Sequence, residues 1–359
     1  MSTPRVTICL PNLNTMPYLA ERLATIQEQT FTDWELLVYD GYSEDGAWEF
    51  FQEFAKSEPR MRCWQGPREG TPGSWSPCIR EARGEFIYVA TSDDTMAPDC
   101  LEKMVAALDE NADCDLAHCA IRIIDENGEP AFDWWATSSL FAKSSGHLTH
   151  LPHKRIAPFD GILCLLGDNV YTSVTQLLIR RSLFDKIGYF PKEWGAPGDF
   201  HWNIRAGLVA STVHVPETWG GWRIHPNQAT VAGSLQTPAH QAKLDSMIED
   251  VTSNLGKYVT TKEQLDVLEG LVKKAQDLRN HLRGHAQQES PTSRRLFILQ
   301  QALAGQSPAW QHLSSMASSD AKWPLAAPES VKGWFDHEVL VPLPPSAKQR
   351  VSDVTLNLV

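Results

Sequence analysis

Residues 6 to 10, Val-Thr-Ile-Cys-Leu, form an apolar, β-branched run that stops at Pro11-Asn12. Such a run reads as a strand buried on both faces and ending in a loop. From about Tyr18, Leu19, Leu23 and Ile26 recur at helical spacing, and Trp34 to Tyr39 make a second apolar run. Strand, helix and strand imply a right-handed crossover. The alternation continues with a helix near Ala47 to Lys56, a strand at Met61 to Trp64, a helix at about Ser74 to Arg83 and a strand at Phe86 to Ala90. This pattern predicts an α/β fold, a mainly parallel sheet flanked by helices, with ligand sites at the carboxyl ends of the strands. Asp40 and Asp93 fall just beyond two such ends.

A helix from Pro98 to Glu110 and a strand from Leu116 to Ile124 follow, and the Glu126-Asn-Gly-Glu129 turn predicts a hairpin into Phe132 to Trp135. The stretch from Thr137 to Asp168 is poorly patterned and carries His147, His150, His153, Lys154 and Arg155. A lid and a merely structural loop weigh equally there. Residues 173–179 read as a strand, Arg181 to Ile187 and Asp199 to Leu208 as helices, and Ser211 to Val215 as a strand leading into Trp219-Gly-Gly-Trp-Arg-Ile-His225. From about Thr237 the character changes. Leu265, Leu268, Leu271, Val272, Ala275, Leu278 and Leu282 form one helical stripe, and Val341 to Gln349 are Pro-rich. Two units are expected: a catalytic domain at 1–235, and a helical extension with a Pro-rich tail at 236–359.

Composition narrows the partners. With 42% hydrophobic and 21% charged residues among 359, the chain is an ordinary globular protein. A formal net charge of -12 argues against nucleic acid as a partner. An anionic ligand would need a bound cation or local arginines. Seven cysteines without a Cys-x-x-Cys pair fit reduced thiols in a cytoplasm. No apolar run approaches the roughly 20 residues of a membrane span, which leaves a peripheral place at the inner face of a membrane open.

The sharpest chemistry lies in Ala90-Thr-Ser-Asp-Asp-Thr95, where two carboxylates follow a buried strand. Mg²⁺ or Mn²⁺ takes one or two carboxylates and shares its other positions with phosphate oxygens; a helix cap ahead of Pro98 explains the same pair equally well. Asp40, in Val38-Tyr-Asp-Gly-Tyr-Ser-Glu-Asp-Gly46, suits a contact to a base or ribose, or a plain Asp-stabilised turn.

Taken in order with Leu10-Pro-Asn-Leu-Asn14, these segments resemble the family 2 glycosyltransferases of the Rossmann-like GT-A fold. The approach Gly84-Glu-Phe-Ile-Tyr88 is similar too. The resemblance implies that Pro11, Asn12, Asn14 and Asp40 meet the nucleotide and that Ser92, Asp93 and Asp94 form the metal motif. Thr91 stands where the family often has the first acid, so Asp93 carries most of the metal binding and Asp94 is its neighbour or substitute. Gly73 to Cys78 depart from the Asn and Gly that the family commonly has before the helix leading to the fourth strand.

Downstream, Gly198-Asp199-Phe-His-Trp-Asn-Ile-Arg205 looks like the family's acidic motif, which makes Asp199 the base for an acceptor hydroxyl, against the alternative of a helix cap. Trp222-Arg-Ile-His-Pro-Asn-Gln228 is similar to the closing loop, which implies His225 as a metal ligand and Arg223 near the diphosphate. Trp75, Trp134, Trp135, Trp194, Trp202, Trp219 and Trp222 fall in segments expected around the acceptor, one or two of them as sugar platforms and the rest as core.

The function so implied is an inverting, single-addition transfer from a nucleoside-diphosphate sugar, with Mn²⁺ or Mg²⁺, to a hydroxyl of an oligosaccharide, polysaccharide, glycolipid or protein. A processive synthase is disfavoured by the absence of Gln-x-x-Arg-Trp. The C-terminal helices suggest a homodimer or acceptor docking. Two rivals remain: a sugar-nucleotide pyrophosphorylase, which lacks its Gly-rich basic loop here, and a non-catalytic sugar-nucleotide-binding scaffold.

Overall fold

A computed structural model of the chain describes residues 3–132, 152–166, 169–226, 228, 238–284 and 340–342. Strands β1 (Val6–Asn12), β2 (Trp34–Asp40), β3 (Met61–Gln65) and β4 (Phe86–Val89) lie in the order β3-β2-β1-β4 and are all parallel. Helices α1 (Met16–Gln27), α2 (Ala47–Ser57) and α3 (Trp75–Arg80) make the crossovers. Every residue of β1 and β2 is buried, which is why both read as unbroken apolar runs. Ile8 and Leu10 enter the core under α1, α2 and α4 (Cys100–Glu110), whereas Cys9 enters the core on the other face.

The second half of the sheet departs from the expected parallel order. β9 (Leu177–Arg180) lies antiparallel between β4 and β6 (Leu116–Ile124). β10 (Thr212–Arg223) runs parallel to β6, and β8 (His153–Arg155) pairs antiparallel with it. Two-residue β5 (Thr95–Met96) and β7 (Pro130–Phe132) hang off β10 and β6, and β11 (Leu340–Pro342) borders β8. The sheet is therefore mixed.

Three local expectations change with it. Residues 173–179 do not all extend: Ser173 and Gln176 cap one tight turn at Val174–Gln176 before β9 begins. β10 continues past Val215 through a bulge ending at Trp219, because Gly220 and Gly221 let it pass under Thr175 and Thr95. A Cβ on either glycine would lie 2.6 or 2.1 Å from those residues. In the poorly patterned stretch, His153 to Arg155 form β8 and Phe159–Leu165 form α5. Burial of His153 and Arg155 places them in the core and not on a lid. His147, His150, Trp134 and Trp135 lie outside the described residues, as does the Pro-rich tail beyond 342.

Facing positions on β6, β10 and β8 carry His118, His214 and His153, all buried. The Nδ1 atoms of His118 and His214 are 3.0 Å apart, and Arg155 beside His153 is paired with Asp160 at 2.7 Å.

Helices α6 (Ser182–Ile187), α7 (Gly198–Val209), α8 (Pro238–Ser253) and α9 (Lys262–Gly284) cover one face. Met247, Ile248 and Val251 of α8 and Leu268, Val272 and Ala275 of α9 enter the same apolar core as Leu163 and Trp202. Residues 238–275 thus share a core with the expected catalytic unit. No helix among the described residues is long and apolar enough to cross a membrane.

Candidate active site

The carboxyl ends of β1 and β2 open the site. Their register sets Asn12 opposite Asp40, and Asn12 Nδ2 donates to Asp40 Oδ1 at 2.8 Å. Asp40 also accepts from the Ser43 hydroxyl at 2.6 Å and from Gln65 at 2.9 Å. Burial alone would lift its pKa, but the hydrogen bonds from Gln65, Ser43 and Asn12 outweigh it and hold the carboxyl below its usual range. Asn14 adopts a left-handed φ of 53°, tolerable for Asn, and its side chain accepts from the Glu44 N–H at 2.8 Å. These bonds knit the two loops into one wall. Asp40 lies behind that wall, fully buried, while Pro11, Asn12 and Asn14 line the cavity itself.

The acidic turn after β4 forms the next wall, and its two acids part company. Asp94 is 2% exposed; its Oδ1 accepts from the Arg223 N–H at 2.8 Å and its Oδ2 accepts from the Thr91 hydroxyl. Burial, then the charge of Asp93, pushes its carboxyl up to about 8. Asp93 keeps 19% of its side chain accessible and meets His225 Nε2 at 3.0 Å. Ser92, Asp93, Asp94 and His225 all border the same cavity of about 360 Å³. The Nδ1 of buried His225 has no partner among the described residues.

Asp199 closes the cavity from the other side at the start of α7. It accepts from the Phe200 N–H at 2.8 Å, yet burial dominates and lifts its pKa to about 6. Its helix is held firmly. Trp202 Nε1 donates to the Gly188 carbonyl at 3.0 Å, His201 pairs with Asp250 of α8 at 2.8 Å, and Gly207 crosses α5 against Gly161, where a Cβ would come within 2.4 Å of backbone nitrogen.

The structure thus brings Pro11, Asn12, Asn14, Ser92, Asp93, Asp94, Asp199 and His225 together around one cavity. Arg223 does not join them. It is 1% exposed, and its guanidinium donates to the Asp93, Asp125 and Glu126 carbonyls and to Glu21. Of the tryptophans, Trp75 and Trp222 line the cavity, while Trp202 is core. Ser76 and Cys78 hydrogen-bond to the Phe190 and Leu37 carbonyls.

Sequence reading missed the loop from Pro67 to Ser74, whose Gly66-Pro67 and Gly70-Thr-Pro-Gly73 punctuation marks a shaped turn after β3. It also missed Thr172 and Ser173, which line the cavity because β9 runs backwards. Arg68, the one arginine or lysine among the described lining residues, is spent on the Gly41 and Tyr42 carbonyls and Glu44.

A divalent cation fits the donor set on this structure's own terms. Asp93 supplies a hard oxygen that keeps some access to the cavity, and His225 Nε2, 3.0 Å from it, supplies a ring nitrogen. Among the described residues no three or more His, Cys, Asp or Glu side chains are grouped so as to hold a metal ion, so the protein offers this pair and no fuller set. An open shell of that kind leaves positions for phosphate oxygens and water.

Comparison with known proteins identifies the family and the fold. The family described as "Glycosyl transferase family 2" matches residues 7–188, just over half of the chain. An uncharacterized glycosyltransferase of Methanocaldococcus jannaschii is 30% identical over 131 residues, 36% of this chain and 45% of that relative. The poly(ribitol-phosphate) beta-N-acetylglucosaminyltransferase TarS of Staphylococcus aureus is 24% identical over 215 residues, 59% of this chain and 34% of TarS. The chain spans less than half the length of these relatives. The crystal structure of S. aureus TarS 1-349 in complex with UDP-GlcNAc superposes with a TM-score of 0.56 at 14% identity, covering 83% of this chain and 80% of that one. That likeness speaks for the fold, a GT-A sheet flanked by helices. With a family match that extends from β1 to the end of α6, the chain belongs to glycosyl transferase family 2.

Proposed function

We propose that the chain is an inverting glycosyltransferase that moves one sugar from a nucleoside-diphosphate donor to a hydroxyl of a carbohydrate or glycoconjugate. The observation that carries this reading is that a single cavity holds the Asp93–His225 pair on one wall and Asp199 on another. Pro11, Asn12 and Asn14 bind the nucleotide end, and Asp40 holds Asn12 in place for it. Asp93 and His225 would hold Mn²⁺ or Mg²⁺, with Asp94 as a buttress; such an ion supplies charge compensation for a departing diphosphate. The relatives' names support this chemistry, TarS being a beta-N-acetylglucosaminyltransferase with poly(ribitol-phosphate) in its name and UDP-GlcNAc in its complex.

Asp199 accepts the proton of the acceptor hydroxyl as that oxygen attacks the anomeric carbon from the face opposite the leaving group. The bond from that carbon to the diphosphate oxygen breaks, and its electron pair leaves with the nucleoside diphosphate. A carboxyl near pKa 6 suits the task, since it is ionised at neutral pH yet more basic than an ordinary aspartate. Apolar walls such as Trp75 and Trp222 keep water from competing.

The test is a thermal-shift screen of UDP-, GDP-, CDP- and dTDP-sugars with and without Mn²⁺, followed by an assay of nucleoside-diphosphate release. Metal-dependent stabilisation and release, both lost in Asp93→Ala, are expected. Stabilisation without any release, with or without acceptors, would favour a binding scaffold.

A further inference from the structure

We infer that Arg223 is a positioning residue for the Asp93–His225 pair and does not contact the donor's diphosphate; this rests on the reading of that pair given above. Each nitrogen of the guanidinium already has a partner within the protein. Its Nε donates to the Asp93 carbonyl at 2.7 Å, one terminal nitrogen donates to the Asp125 and Glu126 carbonyls at 3.0 and 3.2 Å, and the other donates to Glu21 at 2.5 Å. Its own backbone N–H holds Asp94. One residue thereby ties α1, the acidic turn, the β6–β7 turn and the end of β10.

The contacts also close on themselves. The guanidinium lies 5.0 Å from the centre of the Tyr18 ring, and that ring lies 4.9 Å from the His225 ring. His225 in turn meets Asp93, whose carbonyl returns to Arg223. Arg223, Tyr18, His225 and Asp93 therefore form a circuit in which the backbone of one candidate ligand and the ring face of the other are set by the same cation. Glu21, 48% exposed at the outer end, balances the arginine's charge at the protein surface. A lysine would keep the charge but not the planar fork that reaches three carbonyls and a carboxylate. Outer partners of this kind fix the direction in which metal ligands point.

The experiment is a Mn²⁺ titration of the full chain with UDP present, read by the loss of the free-ion paramagnetic resonance signal, beside a melting curve for each variant. Arg223→Lys is expected to weaken Mn²⁺ uptake by about 10-fold, the usual effect of removing a partner that orients a ligand, and Glu21→Gln, one contact further out and half exposed, by a smaller measurable factor. Glu21 is half exposed, so its variant keeps the test open if Arg223→Lys fails to fold. Tyr18→Ala should lose affinity and Tyr18→Phe, which keeps the ring, should restore most of it. Wild-type affinity in a folded Arg223→Lys and in Glu21→Gln would overturn the inference and leave the metal reading standing. A wild-type protein that takes up no Mn²⁺ would remove the metal reading and this inference together.

Discussion

Asp93 Oδ2 and His225 Nε2 stand 3.0 Å apart although 132 positions separate them in the chain. The end of β4 and the end of β10 meet there because β10 runs parallel to β6 and passes under the acidic turn on two glycines. If this pair is the metal-facing part of the site, Asp93→Ala should lower metal-dependent turnover by at least about 100-fold, in the range seen when a main charge-stabilising group is removed. His225→Ala should chiefly shift the Mn²⁺ concentration needed for half-activity. An unaltered Mn²⁺ titration in His225→Ala would refute the ligand role.

If Asp199 is the base proposed above, the reaction is pH-dependent with a definite sign. At a pKa of about 6 its carboxyl is protonated, and idle, in acid, so turnover should fall as the pH drops through about 6. Asp199→Asn should lose about 10²- to 10⁴-fold in turnover, show no such limb, and keep its response to nucleotide. The same shift acts on stability in the opposite sense. The folded chain binds this proton more tightly than the unfolded one, whose aspartate has the ordinary value of 3.8, so stability is lost as pH rises from about 4 to about 6. Melting curves should therefore show Asp199→Asn gaining on the wild type over that interval; a constant difference would count against a buried, ionised carboxylate.

The row His118, His214 and His153 predicts the reverse behaviour elsewhere in the core. Burial, and then the charges of Arg155, His214 and His153, hold His118 well below its usual value. The unfolded chain then takes up this proton first, and stability falls as pH drops below about 6.5. His118→Asn keeps a nitrogen that can hydrogen-bond and removes the titration. Urea midpoints at pH 7.5 and pH 5 should differ less for the variant than for the wild type.

Where Gly207 crosses Gly161, the two helix backbones touch without side chains between them. Gly207→Ala should cost about 1–3 kcal/mol by overpacking. Because α7 begins with Asp199, it should also depress turnover more than nucleotide binding. Urea unfolding and initial rates check the two halves separately.

Much of this was legible in the chain. The unbroken apolar runs of β1 and β2 and the helical stripes of α1 and α4 follow from burial on both faces of a sheet, which leaves a direct trace in sequence. Asp93, His225 and Asp199 were picked out by their places in ordered motifs. Of the two neighbouring acids that border the cavity, the resemblance favours Asp93; what it does not reveal is that the Arg223 N–H and the Thr91 hydroxyl occupy the Asp94 carboxylate. Nor does a four-residue strand state its direction. β9 is reversed by partners on both sides, so its first residues arrive where its neighbours end, and Thr172 and Ser173 reach the site unannounced. Arg223 looked like a phosphate contact because its charge is visible and its four carbonyl and carboxylate partners are not.

The shared core under α8 and α9 also bears on how the protein can be divided. Cutting the chain at 235, where its composition changes, would strip Met247, Ile248, Val251 and Leu268 from the surface over Trp202 and Leu163, and would free His201 from Asp250. The shortened protein would offer water an apolar floor beneath the helix that carries Asp199, an invitation to clump. For expression, crystallisation or transplanting this unit into another enzyme, α8 and α9 therefore have to travel with the sheet, as does β11 at its edge.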